Sequence, residues 1–147
     1  MFKPLHKNSL IGVISPAWIP NSVRMETGFN YLKNLGFRTK RGKHLGKTRG
    51  YFAGTDQERI DDLHDMFADP DIELILCARG GWGGLRLIDN LDYDMIRNNP
   101  KPLVGYSDIT TIQLALWTQS FLPSFSGPML GVEMGKGYFK GSYVVCR

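Results

Sequence analysis

The sequence predicts an α/β domain with a doubly wound, mostly parallel sheet and helices on both of its faces. Short apolar runs bounded by turn residues are typical of buried parallel strands, and amphipathic helical patterns separate these runs. The alternation of the two patterns favours a parallel sheet over a fold in which strands and helices are segregated. A chain of 147 residues, 42% of them hydrophobic, is long enough to bury one such core.

The first part of the chain predicts a strand, a helix and a second strand. Residues 10–15 form an apolar run that ends at a proline, as expected of a buried strand. Asn21 or Ser22 can cap a helix that continues to about Leu35, and the more polar run from Phe37 predicts a strand near a sheet edge. The helix face that we expect to be buried carries Phe29, Leu32 and Leu35.

The middle of the chain repeats this order with a stronger helix signal. Thr55 and Glu58 have the spacing of a capping box, in which each side chain accepts a backbone N–H at the start of a helix. The helix is expected to end before Asp69 and Pro70, and the nearly all-apolar residues 72–78 predict a central parallel strand. The apolar stripe of this helix consists of Ile60, Leu63, Met66 and Phe67.

The remainder of the chain predicts two more strands and a long helix. After a glycine-rich loop at 79–84, we expect a short helix over 85–89, a helical turn over 93–98, a strand over 102–105, a helix over 108–119 and a strand over 124–126. The inward face of the long helix carries Ile109, Ile112, Ala115 and Leu116. The pattern fades after Met129, so we assign residues 1–130 to one domain and 131–147 to a linker or an aberrant tail.

The composition is that of an ordinary soluble globular protein, with 22% charged residues and a net charge of +4. The basic residues are spread out except for one cluster, which can contact a phosphate or an acidic ligand or can form a solvated edge. We favour the solvated edge and expect no nucleic-acid partner, because no stacking aromatic residues or nucleic-acid motif accompany the cluster. The cluster consists of Arg38, Lys40, Arg41, Lys43, Lys47 and Arg49.

The cysteines and the apolar runs favour a cytoplasmic protein. Cys77 lies within the third predicted strand, where a buried thiol is expected, and Cys146 lies near the end of the chain. Two cysteines are too few for a disulfide framework and do not have the spacing of a metal site. The apolar run at residues 10–14 is too short for a secretion signal, and no run approaches a membrane span. We therefore expect no metal, no cofactor and no membrane contact.

Ser107 is a candidate nucleophile because of where it stands between the fourth strand and the long helix. In the run Gly105-Tyr106-Ser107-Asp108, a sharp strand-to-helix turn would push the hydroxyl out over the sheet edge. The helix N-terminus beneath it favours developing negative charge. A plain N-cap serine fits the local pattern equally well, because Ile109 stands where such turns usually have a second glycine.

The glycine-rich loop, Arg-Gly-Gly-Trp-Gly-Gly at residues 79–84, follows a neighbouring parallel strand and so opens onto the same sheet edge. A serine nucleophile needs two hydrogen-bond donors for the oxyanion. The backbone N–H of Asp108 can be one donor, and the loop can supply the other. The loop can also be a tight strand-to-helix turn. A phosphate-binding loop is the weakest interpretation, because the glycine spacing fits neither common phosphate-binding motif.

No residue is marked as the base that would activate Ser107. His6, His44 and His64 have no spacing typical of a base or a metal ligand, and we expect surface or capping histidines. The acidic residues include no pair with a distinctive geometry. The Asp108 side chain is expected to point away from the Ser107 hydroxyl, where it caps the helix or binds nearby backbone.

Six segments in order carry a resemblance to a known family. They are YFAGTDQER at 51–59, DDLHDMFADP at 61–70, ILCARGGWGG at 75–84, LDY at 91–93, NPKP at 99–102 and GYSDIT at 105–110. Together they resemble the N-terminal domain of the serine LD-carboxypeptidases, which include muramoyltetrapeptide carboxypeptidases and microcin C self-immunity peptidases. The resemblance extends from about Leu10 to about Leu130, and the shared order of several motifs makes it highly specific.

The resemblance implies an activity and a site. Family members cleave an amide on the far side of an L-configured centre and typically release D-alanine from murein tetrapeptide in the cytoplasm, during peptidoglycan recycling. They use a Ser-Glu-His triad without metal, are generally homodimeric, and place the site between two domains. Ser107 matches the nucleophile, and the N–H groups of Asp108 and of Gly81, our choice within the loop, match the oxyanion hole. Candidates for contacting a murein peptide or a similar small peptide are Arg79, Gly80 and Trp82.

Two departures from the family pattern affect the expected activity. The triad Glu and His belong to the family's second domain, and we expect this chain to stop before that domain, since no residue here matches either. The segment Ser126-Gly127-Pro128 stands where the family usually has His-Gly-Pro. We therefore expect these residues alone to be a weak or inactive hydrolase with an exposed apolar face for the second domain. A self-immunity peptidase acting on peptidyl-nucleotide toxins and a non-catalytic murein-peptide-binding remnant are the alternatives.

Overall fold

The computed structural model describes residues 2–137 and contains a five-stranded parallel sheet. Its strands are β1 (Leu10–Ile14), β2 (Arg38–Arg41), β3 (Ile72–Cys77), β4 (Leu103–Gly105) and β5 (Phe125–Ser126). Every pairing is parallel, and the spatial order is β2-β1-β3-β4-β5. The predicted α/β fold with a parallel sheet is confirmed, as is the position of the polar β2 at an edge.

The connections between the strands are mainly helical. The helices are α1 (Ser22–Asn34), α2 (Asp56–Ala68), α3 (Tyr93–Asn98) and α4 (Ile109–Ser120), with short 3₁₀ turns at Gly84–Arg86, Ile88–Asn90 and Met134–Lys136. The winding reverses direction between β1 and β3, because β2 lies on one side of β1 and the later strands lie on the other. In such sheets the crevice for a ligand opens beyond the carboxyl ends of the strands at this reversal.

The core lies on both faces of the sheet, as predicted. On one face, α2, α3 and α4 pack against the strands through buried side chains that include Phe67, Ile96, Ile109, Ile112 and Leu116. On the other face, α1 and the segment after β5 pack together, with Phe29, Leu32, Leu130 and Met134 buried. Cys77 is a buried free thiol, as expected, and burial raises the pKa of that thiol.

The predicted helix caps are present, whereas two details of the helices differ. The Asn21 side chain accepts the Arg24 N–H at 3.0 Å, and Thr55 and Glu58 form both bonds of the capping box. Leu35, predicted to be buried, is 43% exposed, because the helix ends before it. The predicted short helix over 85–89 is two 3₁₀ turns instead of one α-helix.

The basic cluster is engaged in ion pairs at the surface. Lys40 pairs with Asp69 at 2.6 Å, Arg41 pairs with Glu26 through both terminal guanidinium nitrogens, and Lys47 pairs with Glu58 at 2.7 Å. The interpretation of this cluster as a solvated edge fits these contacts better than an anion site does, because much of its charge is already neutralised.

The segment after β5 folds back onto α1. Met134 is buried there, and the backbone of Gly135 lies against that of Arg24. Residues 138–147, including Cys146, lie outside the described residues, so the linker or tail predicted for 131–147 stays a prediction. Within residues 2–137, no helix combines the length and apolar character needed to cross a bilayer.

The close contact of α1 with this segment makes Gly28→Ala destabilising. A Cβ at Gly28 would lie 2.4 Å from the Leu130 carbonyl oxygen, so the helix or the segment must shift. We expect a loss of about 1–3 kcal/mol in the free energy of unfolding, measured with urea. At an exposed helix position the same change would be favourable. Asn30→Ala on the solvent side of α1 is the matched control, and equal stabilisation by both substitutions would contradict this contact.

Candidate active site

The predicted site residues meet at the carboxyl edge of the sheet. The glycine-rich loop of residues 79–84, called the glycine loop below, directly follows β3, and Ser107 follows the neighbouring β4. The turn of residues 105–108 that carries Ser107 is called the elbow below. It leads directly into α4, and the Asp108 N–H at the start of that helix directly follows Ser107 in the chain.

Ser107 has a backbone conformation that is uncommon for a residue with a side chain. Its φ is +63°, in the left-handed region, and the residue is exposed. This conformation costs about 1–2 kcal/mol for a residue other than glycine, and such strain is typical of functional turns. Asp108, not Ser107, holds the N-cap position of α4, and within residues 2–137 the Ser107 hydroxyl has no hydrogen-bond partner. The interpretation of Ser107 as a plain N-cap serine is therefore wrong.

The glycine loop and the elbow are in direct contact. A Cβ at Gly80 would lie 3.2 Å from the Ser107 Cβ, 3.1 Å from the Tyr106 carbonyl oxygen and 3.4 Å from the Asp108 nitrogen. Glycine at position 80 therefore permits the two loops to approach without crowding. This contact places the candidate nucleophile and the Asp108 N–H beside the loop residue that precedes Gly81.

The two predicted oxyanion donors are unoccupied by protein acceptors. Across residues 2–137, neither the Asp108 N–H nor the Gly81 N–H donates to another protein group. Gly81 has a φ of +118°, and a Cβ there would lie 2.5 Å from the Trp18 Cβ, so this position requires glycine. Their joint action on an oxyanion is a prediction. It requires both N–H groups to point at the position that the oxyanion would occupy beside Ser107.

The Asp108 carboxylate binds the glycine loop. Its Oδ2 accepts the Gly84 N–H at 2.7 Å, and it makes no capping bond to α4. Of the two roles predicted for this side chain, the bond to nearby backbone is confirmed, and helix capping is wrong.

Arg59 is a site residue that the sequence analysis missed. Its side chain is 1% exposed, and Nη1 donates to the carbonyl oxygens of Pro16 at 2.7 Å and Gly83 at 3.0 Å. Nη2 donates to Asp56 at 2.5 Å. Burial lowers the pKa of Arg59. The helical spacing could have predicted that Arg59 is buried, because this residue lies four positions before the buried Leu63 and so on the same face of α2.

A second missed contact ties the elbow to the segment after β5. The Tyr106 hydroxyl donates to Glu133 Oε1 at 2.7 Å, and Glu133 Oε2 accepts the Met129 N–H at 3.0 Å. The bond to Glu133, helped by burial, raises the pKa of Tyr106 to about 12. The sequence carries no signal for this pair, because the two residues are separated along the chain by a helix and a strand.

None of the histidines stands next to Ser107 as a base. His44 is buried and pairs through Nδ1 with Asp62 at 2.9 Å, so its prediction as a surface histidine is wrong. Desolvation raises the pKa of Asp62. His64 accepts the N–H of Asp92, and the exposed His6 contacts the Lys7 carbonyl. These contacts of the three histidines thus lie away from the elbow.

The rim of the site is aromatic and cationic. Trp82 is 67% exposed, and Trp18 stacks against Tyr51 with ring centroids 5.2 Å apart. Arg79 donates to the Ile19 carbonyl at 3.4 Å, and its guanidinium carbon lies 5.9 Å from the centre of the Trp18 ring. The rim therefore offers stacking surfaces and a positive charge. Among the residues that the structure describes, no three His, Cys, Asp or Glu side chains are grouped to hold a metal ion.

The contacts of Asp56 predict an acid-sensitive stability. Hydrogen bonds from Arg86 and, to a lesser degree, Arg59 lower the pKa of Asp56. A carboxylate with a lowered folded-state pKa stabilises the fold above its unfolded-state pKa, and this contribution is lost as pH falls through the folded-state pKa. The free energy of unfolding, measured with urea at about pH 6 and at about pH 3, should therefore fall further in the wild type than in Asp56→Asn.

A second carboxylate on α2 supplies the control for this comparison. Asp61 accepts from Gln57 and forms no ion pair among residues 2–137. Asp61→Asn should leave the loss between the two pH values close to that of the wild type. The account of Asp56 fails if the two substitutions change the pH dependence equally.

Known proteins share this architecture and these motifs. Residues 11–127 match the model of the LD-carboxypeptidase N-terminal domain. A Bacillus subtilis (strain 168) protein named "Probable murein peptide carboxypeptidase" is 42% identical over 90% of this chain and 42% of its own length. The Escherichia coli "Microcin C7 self-immunity protein MccF" is 35% identical over 90% of this chain and 40% of its own length.

A solved structure shares this fold over nearly the whole chain. MccF in complex with glutamyl sulfamoyl guanosine superposes with a TM-score of 0.87 and 33% identity, over 91% of this chain and 41% of that one. The chain thus spans about two fifths of the length of the curated relatives it matches. Since the family model covers most of the chain, the chain belongs to the LD-carboxypeptidase family, and residues 11–127 form the family's N-terminal domain.

Proposed function

We propose that this chain supplies the nucleophile and the oxyanion hole of a cytoplasmic serine LD-carboxypeptidase, which releases the terminal D-alanine of murein tetrapeptide during peptidoglycan recycling. The observation that carries the proposal is the exposed Ser107 at φ +63°, in contact with Gly80 of the glycine loop. A strained serine at the carboxyl edge of a parallel sheet, beside free backbone N–H groups, is the arrangement that acyl transfer requires.

The proposed chemistry divides into acylation and deacylation. Ser107 Oγ attacks the carbonyl carbon of the L,D-amide while its proton passes to the triad His that the resemblance assigns to a second domain. The tetrahedral oxyanion is stabilised by the N–H groups of Asp108 and Gly81. The C–N bond then breaks as the triad His returns the proton to the leaving nitrogen, D-alanine departs, and water hydrolyses the acyl ester and regenerates the Ser107 hydroxyl. These proposed reaction steps use no metal or cofactor.

The rim supports binding of a peptide that carries carboxylates. We assign substrate contacts to Arg79, Gly80 and Trp82, because Gly80 of the glycine loop contacts the elbow and its two neighbours in the loop carry a cation and an exposed stacking surface. The exposed Tyr51, Trp82 and Leu85 are suited to being covered by a second domain across the site. Homodimer formation is a further proposal, which rests on the family resemblance.

A second candidate function is hydrolysis of peptidyl-nucleotide toxins. It is favoured by the likeness to MccF, whose solved complex contains glutamyl sulfamoyl guanosine. The amide chemistry is the same in both candidates, so the elbow and the glycine loop do not separate them. The nucleotide would require a base-stacking surface, and Trp82 is the exposed tryptophan of the glycine loop that can contribute to one.

The test joins residues 1–137 of this chain, which include the contacts of Glu133 and Met134, to the second domain of the Bacillus subtilis relative, giving a chimera that carries the complete triad. We expect the chimera to release D-alanine from murein tetrapeptide with a higher kcat/KM, relative to the parent of its second domain, than a second chimera with the second domain of MccF shows for an aminoacyl sulfamoyl nucleotide. The reverse preference would favour the immunity function. A cooperative thermal transition of both chimeras must accompany the assay, and folded chimeras that cleave neither substrate would favour the non-catalytic binding role.

A further inference from the structure

The peptide group between Gly83 and Gly84 is held at both of its ends. Its carbonyl oxygen accepts a hydrogen bond from Arg59 Nη1 at 3.0 Å. Its N–H donates to Asp108 Oδ2 at 2.7 Å. One peptide group of the glycine loop is therefore hydrogen-bonded to a side chain of α2 through its carbonyl and to a side chain of the elbow through its N–H.

The glycine loop needs an external restraint to hold its N–H groups in one orientation. Gly81 and Gly83 have φ values of +118° and +121°, and such glycine-rich backbone has many alternative conformations. Stabilisation of an oxyanion depends on donors that are already oriented before the reaction. The two hydrogen bonds on the Gly83–Gly84 peptide restrict rotation of the loop close to Gly81.

The Arg59 side of this contact is held by burial and by further hydrogen bonds. The guanidinium is buried, donates also to the Pro16 carbonyl at 2.7 Å, and is paired with Asp56. A Cβ at Gly83 would lie 2.7 Å from Arg59 Nη1, so the approach requires glycine at that position. Because a buried arginine with several partners has little freedom to move, it fixes the carbonyl end of the peptide group.

The Asp108 side of the contact comes from the elbow itself. The backbone N–H of Asp108 is one predicted oxyanion donor, and its carboxylate reaches across to the loop that holds the other. Asp108 thus carries one donor on its backbone, and its side chain holds the loop that carries the other donor, Gly81. The distance between the two N–H groups therefore depends largely on the hydrogen bond between Asp108 and Gly84. A carboxylate that only capped α4 would not have this effect, and no such capping bond is present.

We propose that Arg59 and Asp108 are positioning residues that clamp the Gly83–Gly84 peptide and thereby align the Gly81 N–H with the Asp108 N–H. The purpose of the clamp rests on the proposed function, because the aligned groups matter as an oxyanion hole. The clamp itself is a property of these 147 residues and can be tested without catalysis. Its consequence in the proposed enzyme is a loss of kcat, with little change in KM, when it is broken.

The experiment is NMR spectroscopy of the isotopically labelled 147-residue chain and of two variants. In Asp108→Ala, amide exchange at Gly84 should accelerate by about tenfold or more, as expected when a hydrogen bond to a charged acceptor is lost. The amide signals of Gly81 and Trp82 should move in the same variant. Asp108→Asn keeps an oxygen acceptor and should return these signals and the exchange rate close to the wild-type values.

A measurement on the unmodified chain guards against variants that fail to fold. Scalar couplings across the two hydrogen bonds should link the Gly84 nitrogen to the Asp108 carboxyl carbon, and the Arg59 guanidinium to the Gly83 carbonyl carbon. Absence of both couplings in the folded wild type would overturn the clamp. So would unchanged Gly81 and Gly84 signals in a folded Asp108→Ala chain. Both readouts are independent of hydrolysis. If the proposed function is wrong, the hydrogen bonds of the clamp should still be detected in a chimera that has no activity.

Discussion

Replacing Ser107 by alanine is expected to reduce kcat of the chimera by a factor on the order of 10⁶, because removing the nucleophile disables a triad whose members act as a unit. The residual rate should reflect binding and the oxyanion donors alone. D-Alanine release from murein tetrapeptide, followed at saturating substrate, measures this loss. The KM should change little, since the Ser107 hydroxyl contributes to the reaction rather than to ground-state binding.

A serine far from the elbow provides the matched control. Ser22 is exposed in the first turn of α1, and Ser22→Ala should leave kcat within about threefold of the wild type, as is usual for surface substitutions. The two variants should have similar melting temperatures. If Ser107→Ala releases D-alanine as fast as Ser22→Ala, the assignment of Ser107 as the nucleophile is wrong.

Replacing Gly80 by valine should be the second most damaging change to activity. The added side chain would crowd Ser107 Cβ and the Asp108 nitrogen, which a Cβ alone would already approach to 3.2 Å and 3.4 Å. The glycine loop must then retreat from the elbow, and the effect of losing one oxyanion donor is about 10²–10³ in kcat. Gly80→Ala should be intermediate. The chimera is assayed in the same way as for Ser107.

The control for this crowding adds the same side-chain size at an exposed position. Ala68 is the last residue of α2 and is exposed, so Ala68→Val should leave kcat nearly unchanged. Thermal unfolding of both variants separates a loss of activity from a loss of structure. Full activity in a folded Gly80→Val chimera would show that the loop and the elbow do not have to touch.

Local patterns in the sequence were sufficient to predict most of the fold. The capping box of Thr55 and Glu58, the apolar stripe that includes Leu63 and the central strand β3 all depend on residues near one another in the chain. One exception occurs at the end of a helix. Leu35 continues the helical spacing but follows the last residue of α1 and precedes Gly36, whose φ of +88° ends the helical path of the chain.

The site was predictable in part, because its central residues also lie in local motifs. Ser107 and the glycine loop follow adjacent strands, so parallel topology alone brings them to one edge. The contacts that support them could not be predicted, since Arg59 reaches Gly83 and Tyr106 reaches Glu133 only in the folded chain. Burial of His44 depends in the same way on Asp62 from another element.

The most direct test of the central claim compares D-alanine release by residues 1–147 alone with release by the chimera. We predict that the folded chain alone cleaves murein tetrapeptide no faster than its Ser107→Ala variant, and that addition of the second domain produces turnover that depends on Ser107. Turnover by the chain alone at the rate of the chimera would contradict the account, because the base would then have to lie within these residues.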